Sequence, residues 1–336
     1  MPRTLRIASL RSGGLVTNYA CSSACAHCSY RSHPKRDKAY TTHDRAAANC
    51  RKVRQLGCRS MHIGGGEPFL NRTGLLDALE AAREEGMAIE YIETNSSWYR
   101  DHESAVALLQ EVKQRGCTTL LISIDPYHNA YIPFAKVKGV MAACRTAGIS
   151  IFPWLMEFYE EINALDDSKT HSLKEYADRY GEDYVATLGQ RYSPSMSGRA
   201  ITTYAPFMPA KPLREVLEQG RTMGQGLLTQ TGHFHVDLYG SYLPPGFPGF
   251  SLAIEDLGDD LDMSRYPAFA ALHDGGLPGF YDLARTRHGF EAGETYHHPR
   301  ELLDIIARHL VTCAPEAFPD LRPLEYYTSA CRPPSA

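Results

Sequence analysis

The sequence has no long apolar stretch and little net charge, and both absences exclude classes of protein. No run approaches the roughly 20 apolar residues of a membrane-spanning helix. With 35 basic and 39 acidic residues the net charge is −4, so charge as a whole provides no attraction to nucleic acid or to an anionic membrane. The apolar run near the N-terminus is too short for a secretion signal. We therefore expect a cytoplasmic protein that binds neither membrane nor nucleic acid.

The cysteines do not form the pattern of a disulfide-bonded protein. There are nine, an odd number, and no export signal accompanies them. Four lie in helix-like or strand-like runs and are interpreted as small buried apolar residues, namely Cys50, Cys58, Cys117 and Cys144. Beyond residue 144 the sequence has only Cys313 and Cys331.

A helix-then-strand unit repeats through the first half of the chain. Each predicted helix ends at a glycine, which suits the left-handed position just past a helix end, and an apolar or β-branched run follows. The predicted helices cover residues 44–56, 73–85, 102–115 and 136–147. With the strand that precedes the first cysteines, the repeat predicts five strands alternating with helices, and hence a parallel sheet.

Three of the cysteines, Cys21, Cys25 and Cys28, fall within eight residues with the spacing CxxxCxxC. A four-iron cluster needs four outer ligands, so three thiolates leave one iron free to bind a substrate or cofactor. Two alternatives are a zinc site completed by His27 or His33 and a coincidental grouping. Structural zinc sites usually bring a second CxxC or a histidine pair, so an iron–sulfur cluster is favoured.

Polar and glycine-rich segments follow the other predicted strands. In parallel barrels the loops at the carboxyl ends of the strands carry the chemistry. Here those loops contain the three cysteines, Gly64-Gly65-Gly66-Glu67-Pro68, residues 93–96, residues 123–128 and Glu157. The sequence therefore predicts an active site on this one rim.

The cysteine spacing and the glycine segment together resemble the radical S-adenosylmethionine (radical SAM) superfamily over residues 14–157. The resemblance implies an α/β fold, a partial (β/α)6 TIM-like barrel with a C-terminal α+β cap. It also implies that Cys21, Cys25 and Cys28 bind a [4Fe–4S] cluster. The open iron would bind SAM, and reductive cleavage would give a 5′-deoxyadenosyl radical that abstracts hydrogen from a substrate. His27 departs from the family, which usually has an aromatic residue there.

Several residues have predicted roles in binding SAM. Gly64, Gly65 and Gly66 would let the backbone approach the methionine part closely, and Glu67 or backbone carbonyls would accept hydrogen bonds from its ammonium group. The alternative is that this segment is only a tight turn. Asn95, with Glu93 and Thr94, is predicted to line the SAM or substrate pocket.

The segment after the fourth strand has predicted roles in cofactor binding and catalysis. Ser123 and Asp125 are placed like residues that hold the SAM ribose in this family, although Asp125 could instead cap a turn. Tyr127 and His128 are predicted to face the substrate as catalytic groups, and the alternative is that they pack as loop aromatics. Arg199 is interpreted either as a contact for an anionic substrate group or as a surface arginine.

The second half of the chain lacks the regular repeat. We predict a radical SAM core at residues 1–158, a helical remainder of the barrel or insert at 159–230, and a cap with the substrate region at 231–336. Predicted elements here are helices at 173–184, 213–218 and 301–311 and a strand at 233–240. The C-terminal part resembles a SPASM/twitch extension, but it lacks an evident full set of auxiliary-cluster cysteines. Even with His235, His297 or His298, Cys313 and Cys331 make a poor ligand set, so a cap without a cluster is preferred.

The predicted function is that of a radical SAM enzyme acting on a peptide or small metabolite. Its cofactors would be a [4Fe–4S] cluster and SAM, and its electron donor a protein such as flavodoxin or ferredoxin. The alternative is a non-catalytic iron–sulfur or zinc protein with a structural or sensing role. The substrate, and whether SAM is consumed or regenerated, are not encoded in any motif of the sequence.

Overall fold

The computed structural model describes residues 5–154, 156–192, 195–227 and 230–328. Cys331 therefore lies outside the described residues. The strands are β1 (Ser12–Val16), β2 (Ser60–Gly64), β3 (Ala88–Thr94), β4 (Thr119–Ser123), β5 (Ser150–Trp154), β6 (Lys211–Pro212), β7 (Gly232–Asp237), β8 (Ser241–Leu243), β9 (Leu252–Ala253) and β10 (Thr295–Tyr296). Eight of them form one sheet in the order β5-β4-β3-β2-β1-β7-β8-β9, and β6 pairs with β10.

The helices surround this sheet and complete the cap. They are α1 (His43–Gln55), α2 (Arg72–Glu84), α3 (His102–Gln114), α4 (Pro126–Asn129), α5 (Phe134–Ala147), α6 (Tyr159–Asn163), α7 (Leu173–Tyr180), α8 (Tyr184–Tyr192), α9 (Arg199–Tyr204), α10 (Leu213–Gln219), α11 (Pro267–His288), α12 (Pro299–Cys313) and α13 (Leu324–Thr328). None of the helices in the described part of the chain combines the length and apolarity needed to cross a bilayer.

The helix-and-strand repeat predicted for the first half is confirmed. The four predicted helices correspond to α1, α2, α3 and α5, and β1 to β5 run parallel to one another. The single helix predicted at residues 173–184 is instead two helices, α7 and α8. Gly181, with a φ of 116°, ends α7 because that backbone conformation cannot continue a right-handed helix.

The sixth parallel strand lies beside the first strand and not beside the fifth. β7 pairs in parallel with β1, placing His235 opposite Gly14, and β8 and β9 then continue the sheet in antiparallel fashion. Among the described strands, β5 is therefore one edge of the sheet. The predicted strand at 233–240 is present, but it extends the core sheet. The α/β class with a mostly parallel sheet is confirmed.

The two faces of the sheet have different chemistry. Leu15, Ile63 and Ile92 are fully buried and point to one face, which packs against helices such as α2. Because side chains alternate along a strand, their neighbours point to the other face, which we call the inner face. The inner face carries Gly14, Val16, His62, Gly64, Tyr91, Glu93, Leu121, Ser123, Phe152, His235 and Asp237.

A buried carboxyl group connects two parts of the cap. Asp320 accepts a hydrogen bond from the backbone N–H of Phe269 at 2.7 Å through one oxygen, while its other oxygen has no partner among the described residues. Burial raises the pKa of Asp320 to about 7. In the unfolded chain the carboxyl would titrate near its ordinary pKa of about 3.9.

This difference predicts a loss of stability as the pH rises. Between about pH 4 and 7 the folded state binds more protons at Asp320 than the unfolded state does, so the free energy of unfolding falls by up to about 4 kcal/mol. We expect Asp320→Asn to lose less stability than the wild type between pH 5 and pH 8, measured by urea denaturation. Equal losses in the two proteins would contradict the prediction.

Candidate functional site

The cysteine loop follows β1 and is folded tightly. Cys21 and Cys25 are buried and Cys28 is partly exposed. The N–H of Cys28 donates to the carbonyl of Cys25 at 3.1 Å, which closes a turn between two of the cysteines. Two sulfur atoms accept backbone hydrogen bonds at 3.4 Å, Cys21 Sγ from Ser23 and Cys28 Sγ from Ser32. Such bonds stabilise sulfur that carries negative charge.

The arrangement of these thiols fits an iron–sulfur cluster better than a single metal ion. In the described part of the chain, the three sulfur atoms do not all lie within 4.8 Å of one another. Ligand sulfurs of one tetrahedral zinc ion stand only about 3.8 Å apart. Burial first, and then Cys25 beside it, raises the pKa of the Cys21 thiol, so its thiolate requires a positive partner. The iron atoms of a four-iron cluster supply that charge at wider separations.

Asn95, at the end of β3, contacts the cysteine loop directly. Its side-chain amide lies 3.4 Å from Cys21 Sγ and donates to the hydroxyl of Ser22 at 3.0 Å. Its side-chain oxygen accepts from the N–H of Ser97, which fixes the orientation of the amide. This residue, predicted to line the cofactor or substrate pocket, therefore lies against Cys21, a contact that no local sequence pattern indicates.

The buried Asp125 and the partly buried His128 form a pair against Cys25. Asp125 caps α4 by accepting the backbone N–H of His128 at 3.0 Å, and its other oxygen is 2.6 Å from the Nδ1 of the same histidine. Burial acts to lower the pKa of His128, but the Asp125 carboxylate and then Cys25, to which the ring also hydrogen-bonds, raise it well above the usual value. His128 thus connects Asp125 to Cys25. Ser123, at the end of β4, is partly exposed near this pair.

Tyr127 lies in the core. Its side chain is 1% exposed, and its hydroxyl is hydrogen-bonded to that of Tyr204. Its ring stands 4.5 Å from the ring of His27, which also packs at 4.5 Å against Tyr192. This is the position of a packing residue, the alternative that the sequence left open. Burial lowers the pKa of His27 to about 3, so the imidazole here is neutral.

The glycine segment after β2 packs against the chain that leads into the cysteine loop. The N–H of Gly66 donates to the carbonyl of Asn18 at 2.8 Å, and a Cβ at Gly66 would overlap the carbonyl group of Ala20. Gly65 has a φ of 138°, a conformation that favours glycine. Close packing on the cysteine loop is therefore one reason for these glycines.

Glu67 is engaged inside the protein. Its fully buried carboxylate accepts hydrogen bonds from the N–H of Asn95 at 2.7 Å, the N–H of Phe69 at 3.2 Å and the hydroxyl of Thr94 at 3.0 Å. Burial raises the pKa of Glu67 to about 7 despite these bonds. The side chain ties the turn after β2 to the end of β3, so a hydrogen bond to SAM from this segment would come from its backbone.

Arg199, at the start of α9, holds the cysteine loop from behind. Its guanidinium donates to the carbonyls of Cys25 at 2.8 Å and Ser32 at 2.7 Å, and its backbone N–H donates to the carbonyl of Cys28 at 3.0 Å. The interpretation of Arg199 as a surface arginine is therefore wrong, because the residue is only 5% exposed. No local motif marks this role, because the partners are backbone carbonyls distant in sequence.

This contact predicts that Arg199→Lys makes the cluster more labile. A lysine cannot donate to both carbonyls in the fork geometry of a guanidinium, and loss of one charged hydrogen bond costs about 1.5–3 kcal/mol. We expect the absorbance of the reconstituted cluster to decay about tenfold faster in air than in the wild type. Arg287→Lys, at an exposed position of α11, is the matched control and should decay at the wild-type rate. If the cluster absorbance of Arg199→Lys decayed at the wild-type rate, the inferred role of Arg199 in holding the cysteine loop would be contradicted.

The possible auxiliary-cluster ligands of the cap are dispersed. Cys313 is exposed at the end of α12. His235 lies in the core sheet, His297 hydrogen-bonds to the carbonyl of Met208, and His298 caps α12. In the described ranges, no compact group of three potential metal ligands includes Cys313. Cys331 lies outside those ranges.

Comparison with known proteins gives one family match and several distant structures. The family model of the radical SAM superfamily matches residues 15–159. SuiB of Streptococcus suis bound to S-adenosylmethionine is 14% identical with a TM-score of 0.39, and the alignment covers 71% of this chain and 60% of that chain. anSMEcpe with bound AdoMet is 15% identical with a TM-score of 0.42, covering 74% and 76%. A comparison with curated proteins finds no match.

The family match, and not the structural likenesses, carries the assignment. This chain spans less than two thirds of the SuiB chain, and both structures are too distant to inform on its substrate. The matched residues include both CxxxCxxC and Gly64-Gly65-Gly66-Glu67-Pro68. Residues 15–159 of this chain are a radical SAM domain, the part of a radical SAM enzyme that uses a [4Fe–4S] cluster and SAM.

Proposed function

We propose that Cys21, Cys25 and Cys28 hold the cluster and that the enzyme abstracts hydrogen from a peptide or small-molecule substrate. The observation that carries this proposal is the loop with three thiols, whose sulfurs do not all lie within 4.8 Å of one another and of which two accept backbone hydrogen bonds. When bound, the reduced cluster supplies the electron that cleaves SAM to methionine and a 5′-deoxyadenosyl radical. The sequence separation of the ligands is that of the superfamily.

The residues around the loop orient the ligands and keep water away. Asn95 contacts Cys21, and His128, held by Asp125, contacts Cys25. Gly64, Gly65 and Gly66 place backbone groups beside the loop, where they can contact the methionine part of SAM. Ser123 and Asp125 remain our candidates for the ribose. Of the two predicted catalytic residues, His128 is the better candidate because Tyr127 is enclosed in the core.

The substrate would approach the inner face of the sheet. This face is open near β5, where Phe152 is 46% exposed, and Glu93 on β3 is 40% exposed at its side chain. Residues of the second half lie behind the cysteine loop: Arg31 of the loop donates to the carbonyls of Gly198 and Tyr326 and pairs with Asp304 of α12. We propose that the cap shapes the substrate pocket, with boundaries near residues 158 and 230.

Anaerobic reconstitution with iron and sulfide tests the proposed function. We expect about four irons per chain and absorbance near about 400 nm that bleaches with dithionite. Incubation with SAM and dithionite should then release 5′-deoxyadenosine, measured by liquid chromatography. Zinc in place of the cluster iron, without deoxyadenosine, would contradict the proposal. About eight irons per chain would instead show a second cluster and contradict a cluster-free cap. A flavodoxin or ferredoxin is the proposed natural electron donor.

A further inference from the structure

Two histidines meet on the inner face above a glycine. The strand register places Gly14 of β1 between His62 of β2 and His235 of β7. The Nε2 atoms of the two imidazoles are 3.1 Å apart. A Cβ at Gly14 would overlap the ring of His62, so the glycine is what lets the two rings approach. Neither His62 nor Gly14 belongs to a motif that predicts a site.

Both imidazoles are held neutral. Burial lowers the pKa of His62 to about 3, and burial together with His62 lowers the pKa of His235 well below its usual value. The ring of His62 also makes a hydrogen bond to the backbone of Gly13. A proton committed to that bond leaves the lone pair on the nitrogen that faces His235. Metal-binding histidines are typically oriented in this way, with one ring nitrogen bonded to a carbonyl.

A carboxyl group adjoins the two histidines. Oε1 of Glu93, on the same face of β3, is 3.7 Å from Nε2 of His62. Burial raises the pKa of Glu93 to about 7, although the nearby His128 acts to lower it. No lysine or arginine belongs to the inner face of the described strands. On this face, two neutral imidazoles and a carboxyl group therefore offer three ligand atoms to a metal cation.

We propose that His62, His235 and Glu93 bind one divalent first-row transition metal ion, such as Zn²⁺ or Fe²⁺, separate from the cluster. Two imidazole nitrogens, each about 2.1 Å from one ion, stand about 3.0–3.4 Å apart, which agrees with the observed 3.1 Å. Two nitrogens and one carboxylate suit ions of intermediate hardness. Among the described residues the ligand atoms of these three side chains do not all lie within 4.8 Å of one another, so the partly exposed Glu93 has to turn toward the ion.

This site differs from the other group of possible ligands. The donor atoms of His27, Asp125 and His128 all lie within 4.8 Å of one another. However, Asp125 is paired with His128, which in turn hydrogen-bonds to Cys25, so that group belongs to the cluster site already described. The inner-face site shares no residue with it. The metal content of the inner-face site is measured without SAM. A failure to bind metal there can therefore be distinguished from a failure of the proposed function, which is measured as SAM cleavage.

Equilibrium dialysis of the full chain with its reconstituted cluster tests the proposal. After dialysis against micromolar Zn²⁺, we expect about one zinc per chain by inductively coupled plasma mass spectrometry. His62→Ala and His235→Ala should each bind zinc at least about tenfold more weakly. His102→Ala, at an exposed position on α3, is the control and should match the wild type. Anaerobic competition with Fe²⁺ then shows which of the two ions is preferred.

Two further variants separate metal binding from folding. Glu93→Gln keeps the size of a partly exposed side chain and should also bind zinc about tenfold more weakly. Gly14→Ala keeps every ligand but displaces the imidazole of His62, so it should lose zinc as well. Circular dichroism and the iron content of Glu93→Gln should equal those of the wild type. Equal zinc in the wild type, Glu93→Gln and His62→Ala would overturn the proposal and leave the histidines as a hydrogen-bonded pair.

Discussion

Cys25→Ala is expected to abolish SAM cleavage. The variant removes the middle of the three proposed ligands and with it the contact that His128 makes with the thiol. A four-iron cluster held by two thiolates is lost or poorly formed, so 5′-deoxyadenosine production should fall at least about a hundredfold. The measurement is deoxyadenosine released per chain after anaerobic reconstitution, together with iron content.

Cys50→Ala is the matched control for this prediction. Cys50 is fully buried on α1, within the apolar core and away from the loop. Its replacement removes one sulfur atom from a packed site, which costs about 1–2 kcal/mol of stability but no ligand. SAM cleavage should therefore remain close to the wild-type level. An equal loss of activity in both variants would mean that the ligand set is assigned incorrectly.

Gly66→Ala is expected to disrupt the site by displacing the loop. The added Cβ would overlap the carbonyl group of Ala20, one residue before the first ligand. Because the obstacle is backbone and not a flexible side chain, either the glycine segment or the cysteine loop has to move. We expect a loss of about 3 kcal/mol or more in unfolding free energy and little retained iron. Urea denaturation and iron content measure the two effects.

Gly275→Ala provides the comparison for a glycine without such a neighbour. A Cβ at Gly275, on α11, meets nothing within 4 Å among the described residues. Its effect on stability should stay within about 0.5–1 kcal/mol, and its iron content should equal that of the wild type. If Gly66→Ala were as mild, the close packing of the glycine segment on the loop would not matter for cluster binding.

The cysteine loop is held from two sides. In front, Asn95 and His128 contact the sulfurs of Cys21 and Cys25. Behind, Arg199 and Arg31 connect the loop to α9 and to the cap. Changes in the second half of the chain are thus expected to affect the cluster even when they are far from it in sequence. The Arg199→Lys experiment measures this coupling directly.

Local patterns were sufficient to predict the first half of the fold. The helices before Gly57, Gly86, Gly116 and Gly148 were found within two residues of their predicted ends, because a helix end and a glycine are adjacent in sequence. The cysteine spacing and the glycine segment likewise depend on neighbouring residues, and they identified the superfamily. The single helix predicted at residues 173–184 was wrong because one glycine interrupts an otherwise regular pattern.

Long-range pairing could not be predicted from such patterns. The position of β7 beside β1, the three internal donors to Glu67 and the contacts of Arg199 join residues separated by many positions. Asp125 carried two interpretations, and its cap on α4 became visible only with the bond to His128. The enclosure of Tyr127 depends on Tyr204, from a different helix.

Sequence alone determined the repeat, the three thiols and the superfamily, because each is written in residues close together along the chain. Tertiary structure decided which side chains meet the thiols, which predicted site residues are buried in structural roles, and how the cap supports the loop. It also brought His62 and His235 together across Gly14, three residues on three strands. Hydrogen bonds to backbone carbonyls and the register of parallel strands leave no local signature, so only the folded chain reveals them.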